Sequence, residues 1–190
     1  MMSHKVVVIA LFFIIGAFFS GLFFRWYYQF PNQVDGFDHN SDGILDEKYI
    51  RSKSGNLLFL KSDRNFDGKI DLSMEFAPTG HIVKAKSDDD FNESFETMVD
   101  FVNNQTSAVR VDTDGDGLYD LIQLFEHGVS KEASLIDREA NAIVKRYYYE
   151  LGKPIKSYED NDLDGVFETE CRFDFLENKK CKAKLESDKH

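Results

Sequence analysis

The sequence predicts an all-β protein built from tandem repeats, and three observations support this prediction. A nine-residue pattern recurs about every 25 residues, which is typical of repeat proteins with one supersecondary unit per repeat. Apolar residues alternate after several copies, as they do in a strand with one buried face. A turn signal closes each of these runs. Each repeat is therefore predicted to be a loop and a β-hairpin, and the repeats together an elongated, curled antiparallel sheet or solenoid.

The first 30 residues are predicted to be a signal anchor with one transmembrane helix. Residues 6–24 form an unbroken run of apolar or small residues, close to the length of about 20 residues that crosses a bilayer core. Arg25, Trp26 and two tyrosines follow it as an interfacial belt. The alternative is a cleaved signal peptide, whose apolar region is normally shorter. With either interpretation, the repeats of 38–190 are expected outside the cytoplasm. Residues 31–37 are predicted to be a short linker, so the repeats are expected close to the membrane.

The repeated pattern is Asp-x-Asp/Asn-x-Asp-Gly-x-x-Asp/Glu, and its copies begin at residues 38, 63, 88, 112, 137 and 160. Four copies keep the pattern in full. In the copy at 88, Glu93 replaces the glycine of position 6, which penalises a left-handed turn and predicts a looser loop. In the copy at 137, Ala142 replaces this glycine and Lys145 occupies position 9. That copy is degenerate.

The strands are predicted to follow the loops, because position 8 is apolar in every copy and alternation continues from it. In the second copy the alternation runs through Ile70, Leu72, Met74 and Phe76. Turn signals then follow at residues 54–56, 78–80, 103–104, 127–128, 151–152 and 177–178. A second short run leads back to the next loop, so about a dozen antiparallel strands are expected. The abundant Phe and Tyr residues are expected to form a continuous core along the curl.

Residues 131–149 have a competing interpretation. The alanines of this segment and a capping Ser130 favour a helix. The preserved repeat period and the ending at Gly152 favour a decayed hairpin, which we prefer.

The loops are predicted to bind calcium. Side-chain oxygens at positions 1, 3, 5 and 9 of a tight loop can converge on one hard cation, and position 7 can offer its backbone carbonyl. Oxygen-only ligands suit calcium better than zinc or copper. The degenerate copy at 137 is expected to be metal-free. The predicted ligands are Asp38, Asn40, Asp42, Ile44, Asp46, Asp63, Asn65, Asp67, Lys69, Asp71, Asp88, Asp90, Asn92, Glu96, Asp112, Asp114, Asp116, Leu118, Asp120, Asp160, Asp162, Asp164, Val166 and Glu168.

Cysteine usage and charge restrict the compartment and the partners. Cys171 and Cys181 both lie in the final hairpin, where an oxidising compartment would allow a disulfide; two unpaired thiols are the alternative. The net charge is -11 and the pI about 4.9, which disfavours nucleic acid and anionic lipid as partners. Scattered histidines match no catalytic spacing, and the acidic clusters already have a metal interpretation, so no enzyme activity is expected.

The loops resemble the first nine residues of an EF-hand, although position 12 carries Tyr49, Met74, Gln123 and Cys171 in place of the bidentate Glu. Over residues 38–186 the chain resembles exported bacterial proteins with tandem Asp-rich calcium loops joined by short β-hairpins. This resemblance implies a binding scaffold.

We therefore expect a membrane-anchored, extracytoplasmic calcium-binding protein with a structural or interaction role at the cell envelope, where its partner is another envelope protein or a polymer. The alternative is a calcium-responsive sensor or regulator of a membrane complex.

Overall fold

The computed structural model describes residues 20, 33–174 and 178–183, and the chain divides into two units, 1–33 and 34–190. The described part contains no helix long and apolar enough to cross a membrane. The predicted membrane span of residues 6–24 lies outside the described residues, apart from Ser20. Residues 184–190 of the last repeat also lie outside them.

The second unit is all-β, as the repeats predict, and its thirteen strands form one antiparallel sheet in strict chain order. The strands are β1 Gln33–Phe37, β2 Glu47–Arg51, β3 Leu57–Ser62, β4 Leu72–Phe76, β5 Ile82–Ser87, β6 Thr97–Val102, β7 Gln105–Val111, β8 Leu121–Glu126, β9 Val129–Asp137, β10 Ala142–Glu150, β11 Lys153–Glu159, β12 Thr169–Phe173 and β13 Lys179–Ala183. The finer shape, a curl or solenoid, remains a prediction.

The segment 131–149 is a hairpin, and the helical interpretation of it is wrong. β9 and β10 pair antiparallel through this segment, with Ala142 opposite Asp137 and Tyr147 opposite Ala133. Between them only a four-residue turn remains, in which Asn141 adopts a positive φ of 51°. Strand pairing with both neighbours therefore outweighs the local helix propensity of the alanines.

The turns between repeats follow the sequence signals. The pairs 103–104, 127–128 and 151–152 each have positive φ at both residues, which is the geometry of the tight turns that join twisted antiparallel strands. A β-bulge follows, at an equivalent position, each of the five tight turns that join β2 to β3, β4 to β5, β6 to β7, β8 to β9 and β10 to β11. The sequence does not predict this feature. The residues that the bulges leave without an opposite partner are Leu58, Val83, Ser107, Lys131 and Ile155.

The sheet is a single layer, and the expectation of a continuous aromatic core is wrong for the described residues. Extensive strand contacts there occur only between sequence neighbours, so no second layer covers either face. Among the described residues the buried apolar ones are Ala108, Ala133 and Cys171, whereas seven aspartates are buried to a similar degree. The two faces nevertheless differ. One cross-strand row carries Leu60, Met74, Ala85, Val99 and Val109, and we call this side the apolar face.

Candidate metal centres

All the acidic loops lie at the same end of the strands. Each repeat contributes two strands, and in an antiparallel sheet two strands return the chain to the end where it started. The loops of 38–46, 63–71, 88–96, 112–120 and 160–168 therefore share one edge, and the tight turns share the opposite edge. The first four of these loops are separated by two strand spacings each, about 9–10 Å, and the loop at 160 lies four spacings beyond the loop at 112.

Backbone hydrogen bonds join the first four loops to one another. The N–H of Asp63 donates to the carbonyl of Asp46 at 2.7 Å, and the N–H of Asp88 donates to that of Asp71 at 2.8 Å. Asp112 donates to Glu96 in the same way, at 2.8 Å. Position 1 of each of these loops is thus fixed to position 9 of the loop before it. The loop at 160 differs, because Asp160 donates to the carbonyl of Val144.

The carboxylate of position 1 organises the interior of each loop. In the loop at 160, Asp160 accepts the N–H of Leu163 at 2.8 Å on one oxygen and that of Gly165 at 2.9 Å on the other. In the loop at 112, Asp112 accepts Gly115 at 2.8 Å and Gly117 at 2.7 Å. The same contacts recur at Asp38 and Asp63, whereas Asp88 accepts the N–H of Asn92 at position 5 and that of Glu93 at position 6. These bonds stabilise the position 1 carboxylates, all of which except Asp38 are buried.

The glycine of position 6 has the left-handed backbone that the sequence predicts. Gly43, Gly68, Gly117 and Gly165 have φ between 88° and 90°. Glu93 takes the same conformation with φ 76°, so the loop at 88 keeps the shape of the others despite its side chain. Position 4 is left-handed as well, at Ser41, Phe66, Phe91, Gly115 and Leu163. Sequence reasoning missed this second turn, for which Gly115 was the only signal.

The loop at 160 brings all four of its predicted acidic ligands together. Asp160, Asp162, Asp164 and Glu168 each offer a carboxylate oxygen, and these oxygens lie within 4.8 Å of one another. Two further clusters satisfy the same limit: Asp88, Asp90 and Glu96 in one loop, and Asp112, Asp114 and Asp116 in another.

Asp120 lies outside its cluster. One of its carboxylate oxygens accepts the Thr113 N–H at 2.9 Å, and the other accepts the Thr113 hydroxyl at 2.5 Å.

The loops at 38 and 63 do not form a cluster of three carboxylates within the described residues. Both have Asn at position 3. The amide nitrogen of Asn40 donates to Asp42 at 2.9 Å, and that of Asn65 donates to Asp67 at 3.2 Å. An amide N–H therefore faces the carboxylate of position 5 in these two loops.

Position 9 points inward and binds the backbone of its own loop. Asp46 accepts the N–H of His39 at 2.6 Å, and Asp71 accepts that of Arg64 at 2.6 Å. At position 7, the N–H of Ile44, Lys69, Leu118 and Val166 donates to the side chain of position 5. The carbonyl oxygens of these four residues remain predicted ligands.

Hydrogen bonding favours the ionised form of two loop carboxylates. Burial raises the pKa of Asp112, but the N–H groups of Gly117 and Gly115 outweigh burial and hold that pKa below its ordinary value. The pKa of Asp42 is also lowered, by the Ile44 N–H and then by the Asn40 amide. Asp112 lies in a cluster with Asp114 and Asp116, and like charges at this distance repel one another unless a cation is present.

The residues of the loop at 88 fit a hard cation for an additional reason. Oε1 of Glu96 is buried and has no hydrogen-bond partner, while Oε2 of the same carboxylate accepts the Asp89 N–H at 2.8 Å. A buried carboxylate oxygen without a partner is costly. A cation bound by Asp88, Asp90 and Glu96 would remove this cost. The copy at 88, for which the sequence predicts a looser loop, thus brings its three predicted carboxylate ligands together.

An EF-hand ligand at position 12 is not possible in these loops. Tyr49, Met74, Gln123 and Cys171 lie within β2, β4, β8 and β12, so each loop ends after nine residues. The sequence matches no model of a known protein family and none of the curated proteins.

Proposed function

We propose that the chain is a calcium-binding repeat protein, anchored at a membrane by its N-terminal segment, with a structural or interaction role on the outer side. The observation that carries this proposal is the recurrence of carboxylate clusters on equivalent loops at one edge of the sheet. Repetition of turn residues alone would not require three or four carboxylates to converge, because mutual repulsion disfavours that arrangement.

Calcium is the cation that this ligand set favours. All the candidate ligands are oxygens, and the predicted ligand sets add amide and backbone oxygens to the carboxylates in short irregular loops, which suits the variable coordination of calcium. Without a bidentate Glu at position 12, each site is expected to be weak, with dissociation constants on the order of 10⁻⁴–10⁻³ M. Millimolar calcium outside a cell would still occupy such sites.

Bound calcium would stabilise the sheet. A site that binds only the folded state contributes about 1 kcal/mol at a few-fold excess of ion over its dissociation constant. Several such contributions are comparable with the roughly 5–15 kcal/mol net stability of a domain. The described part of this sheet has almost no apolar core, so we expect contacts within the loops to fix much of its geometry. Chelation is expected to loosen it.

Calorimetric titration of the full chain in detergent, after removal of divalent ions, tests the proposal. We expect at least three calcium ions to bind and the melting temperature to rise with calcium. The double variant Asp162→Asn, Asp164→Asn removes two charges of one cluster but keeps acceptor oxygens, and it should lose about one ion. Glu170→Gln, an acidic residue of β12 outside the loops, is the matched control. A chain whose titration and melting temperature do not respond to calcium would refute the proposal.

A further inference from the structure

Positive charge is concentrated on the side of the sheet opposite the apolar face. Strand register places Lys48 opposite Lys61, Lys61 opposite Ser73, and Ser73 opposite Lys86. The same cross-strand row continues through Met98 to Arg110. We call this side, over β2 to β7, the basic face. It carries an unbroken row without a carboxylate, in a chain whose net charge is -11.

The row includes an arrangement that is unfavourable in the free protein. Lys48 and Lys61 are directly opposite each other on neighbouring strands, and like charges in that position destabilise a sheet. None of the ion pairs among the described residues involves Lys48, Lys61 or Lys86. An anionic ligand over this row would convert the repulsion into attraction.

The lysines line a groove together with aromatic rings. A groove of about 380 Å³ is bounded by Phe59, Lys61, Lys84, Lys86 and Phe95, with Ile70, Ser73 and Glu75 completing its wall. The Lys86 ammonium lies 5.9 Å from the centre of the Phe95 ring, and Lys84 is 3.7 Å from Asp100. The groove therefore offers cationic groups beside apolar ring faces, which suits a ligand with both anionic groups and an apolar body.

The spacing of the cations favours a polymer with widely spaced charges. Lys61 and Lys86 lie on β3 and β5, so these two cations are about 9–10 Å apart. Lys48 lies next to Lys61 on β2, and Arg110 on β7 is already paired with Asp100. A nucleic acid strand carries one charge per roughly 3.4 Å. It would therefore leave most of its phosphates unneutralised, close to the acidic loops at the strand ends. A polyanion with one charge per two sugar units would match one cation per repeat without this excess.

We propose that the basic face binds an acidic polysaccharide laid across the strands. Its carboxylate groups would pair with Lys48, Lys61 and Lys86, and its sugar rings would lie against Phe59 and Phe95. The choice of a polysaccharide rests on the proposed extracytoplasmic role. The cationic surface itself involves none of the calcium loops, so binding does not require calcium.

Binding of fluorescently labelled hyaluronate, a polysaccharide with one carboxylate per two sugar units, to the full chain in detergent, measured by anisotropy with EDTA present, tests this inference. We expect Lys61→Gln and Lys86→Gln to weaken binding about two- to fivefold each, and the double variant about tenfold. Lys131→Gln makes the same charge change in β9, near the edge of the tight turns and outside the basic face. This control variant should leave the affinity unchanged. Binding should fall as salt rises. Neutral dextran should not bind. Equal losses in all three single variants, or binding that none of them changes, would overturn the proposal.

A fourth variant separates binding from folding. Lys48→Gln removes the repulsion with Lys61, so it should raise the melting temperature or leave it unchanged while weakening hyaluronate binding. If Lys48→Gln lowers both the melting temperature and the binding, Lys48 has a purely structural role and the proposal is contradicted. Stronger binding of polyglutamate, single-stranded DNA or anionic phosphatidylglycerol vesicles at the same lysines would also contradict it. Because EDTA is present throughout, failure here leaves the calcium titration unaffected, and failure of that titration leaves this result intact.

Discussion

Two left-handed residues define each acidic loop, and only one of them can be predicted from the sequence. The glycine at position 6 is recognisable because side chains disfavour positive φ. Position 4 holds Ser41, Phe66, Phe91 and Leu163, residues that normally avoid this conformation. Their strain is offset where the carboxylate of position 1 accepts their N–H, as Asp63 does for Phe66 at 2.7 Å. That compensation comes from loop closure and has no signature in residue type.

Substitutions at position 6 should therefore change the stability in opposite directions in the loops at 112 and 88. A Cβ added at Gly117 would meet no atom within 4 Å, so the cost of Gly117→Ala is the backbone strain, about 1 kcal/mol. Glu93→Gly should gain a similar amount, because Glu93 holds φ 76°. Urea unfolding of both variants in EDTA measures these changes without the contribution of bound ions.

The ion pair of Glu93 with Lys69 is the confounding factor, and Glu93→Ala controls for it. Both side chains are half exposed, so this pair contributes little. Glu93→Ala loses the same pair but keeps a Cβ in the left-handed position. Equal stability of the Ala and Gly variants would show that backbone strain is not the cause.

At the scale of the strand and hairpin, the sequence predicts more than it does for single residues. The strands β4, β6 and β8 follow from alternation, and the turns at 103–104, 127–128 and 151–152 follow from their residue types. The hairpin of β9 and β10 was predictable only from the repeat period, because the composition of 131–149 favours a helix. The basic face was missed because it depends on register across several hairpins, and the bulges change that register after each turn.

The last strands are joined by an ionic network whose effect depends on pH. One oxygen of Glu159, in β11, lies 2.7 Å from the Lys179 ammonium of β13 and 2.9 Å from that of Lys145 in β10. Lys179 first, and then Lys145, lowers the pKa of Glu159 from its ordinary 4.5. Its contribution to stability is therefore complete above pH 4.5 and is lost as the pH falls through the lower folded-state value.

Glu159→Gln should destabilise the protein by about 1 kcal/mol at pH 7 and by progressively less as the pH falls from 4.5 towards 2. Thermal unfolding across this range measures the difference from the unmodified chain. Glu150→Gln, at the exposed end of β10, is the control and should follow the unmodified chain at every pH. A destabilisation by Glu159→Gln that persists undiminished in acid would mean that packing, not charge, holds this residue.

At the scale of the second unit, the sheet is a chain of neighbour contacts. Its strands follow sequence order and lack a covering layer in the described part. Aromatic content alone predicted a core that is absent, because composition does not reveal whether a second layer exists. The disulfide between Cys171 and Cys181 joins β12 to β13, as their position in the final hairpin suggested. In such an array stability is the sum of local and nearest-neighbour contributions.

Loss of one calcium site should therefore loosen the sheet only locally. In the presence of calcium, the double variant Asp162→Asn, Asp164→Asn should increase amide exchange in β11 and β12 about fivefold, the equivalent of about 1 kcal/mol. The amides of β2 and β3, at the far side of the sheet, should exchange as before. Hydrogen–deuterium exchange resolved by mass spectrometry measures both. A uniform increase over all strands would indicate one cooperative unit instead.

β13 bounds the described sheet, and its composition has a consequence for solubility. All five of its residues are exposed, and three of them are Lys179, Lys180 and Lys182. An open outer strand is a template on which another molecule could polymerise by backbone pairing. Lys179 is paired with Glu159, but two copies of β13 approaching side by side would still bring the ammonium groups of Lys180 and Lys182 from both copies together, and their mutual repulsion would disfavour polymerisation at this boundary.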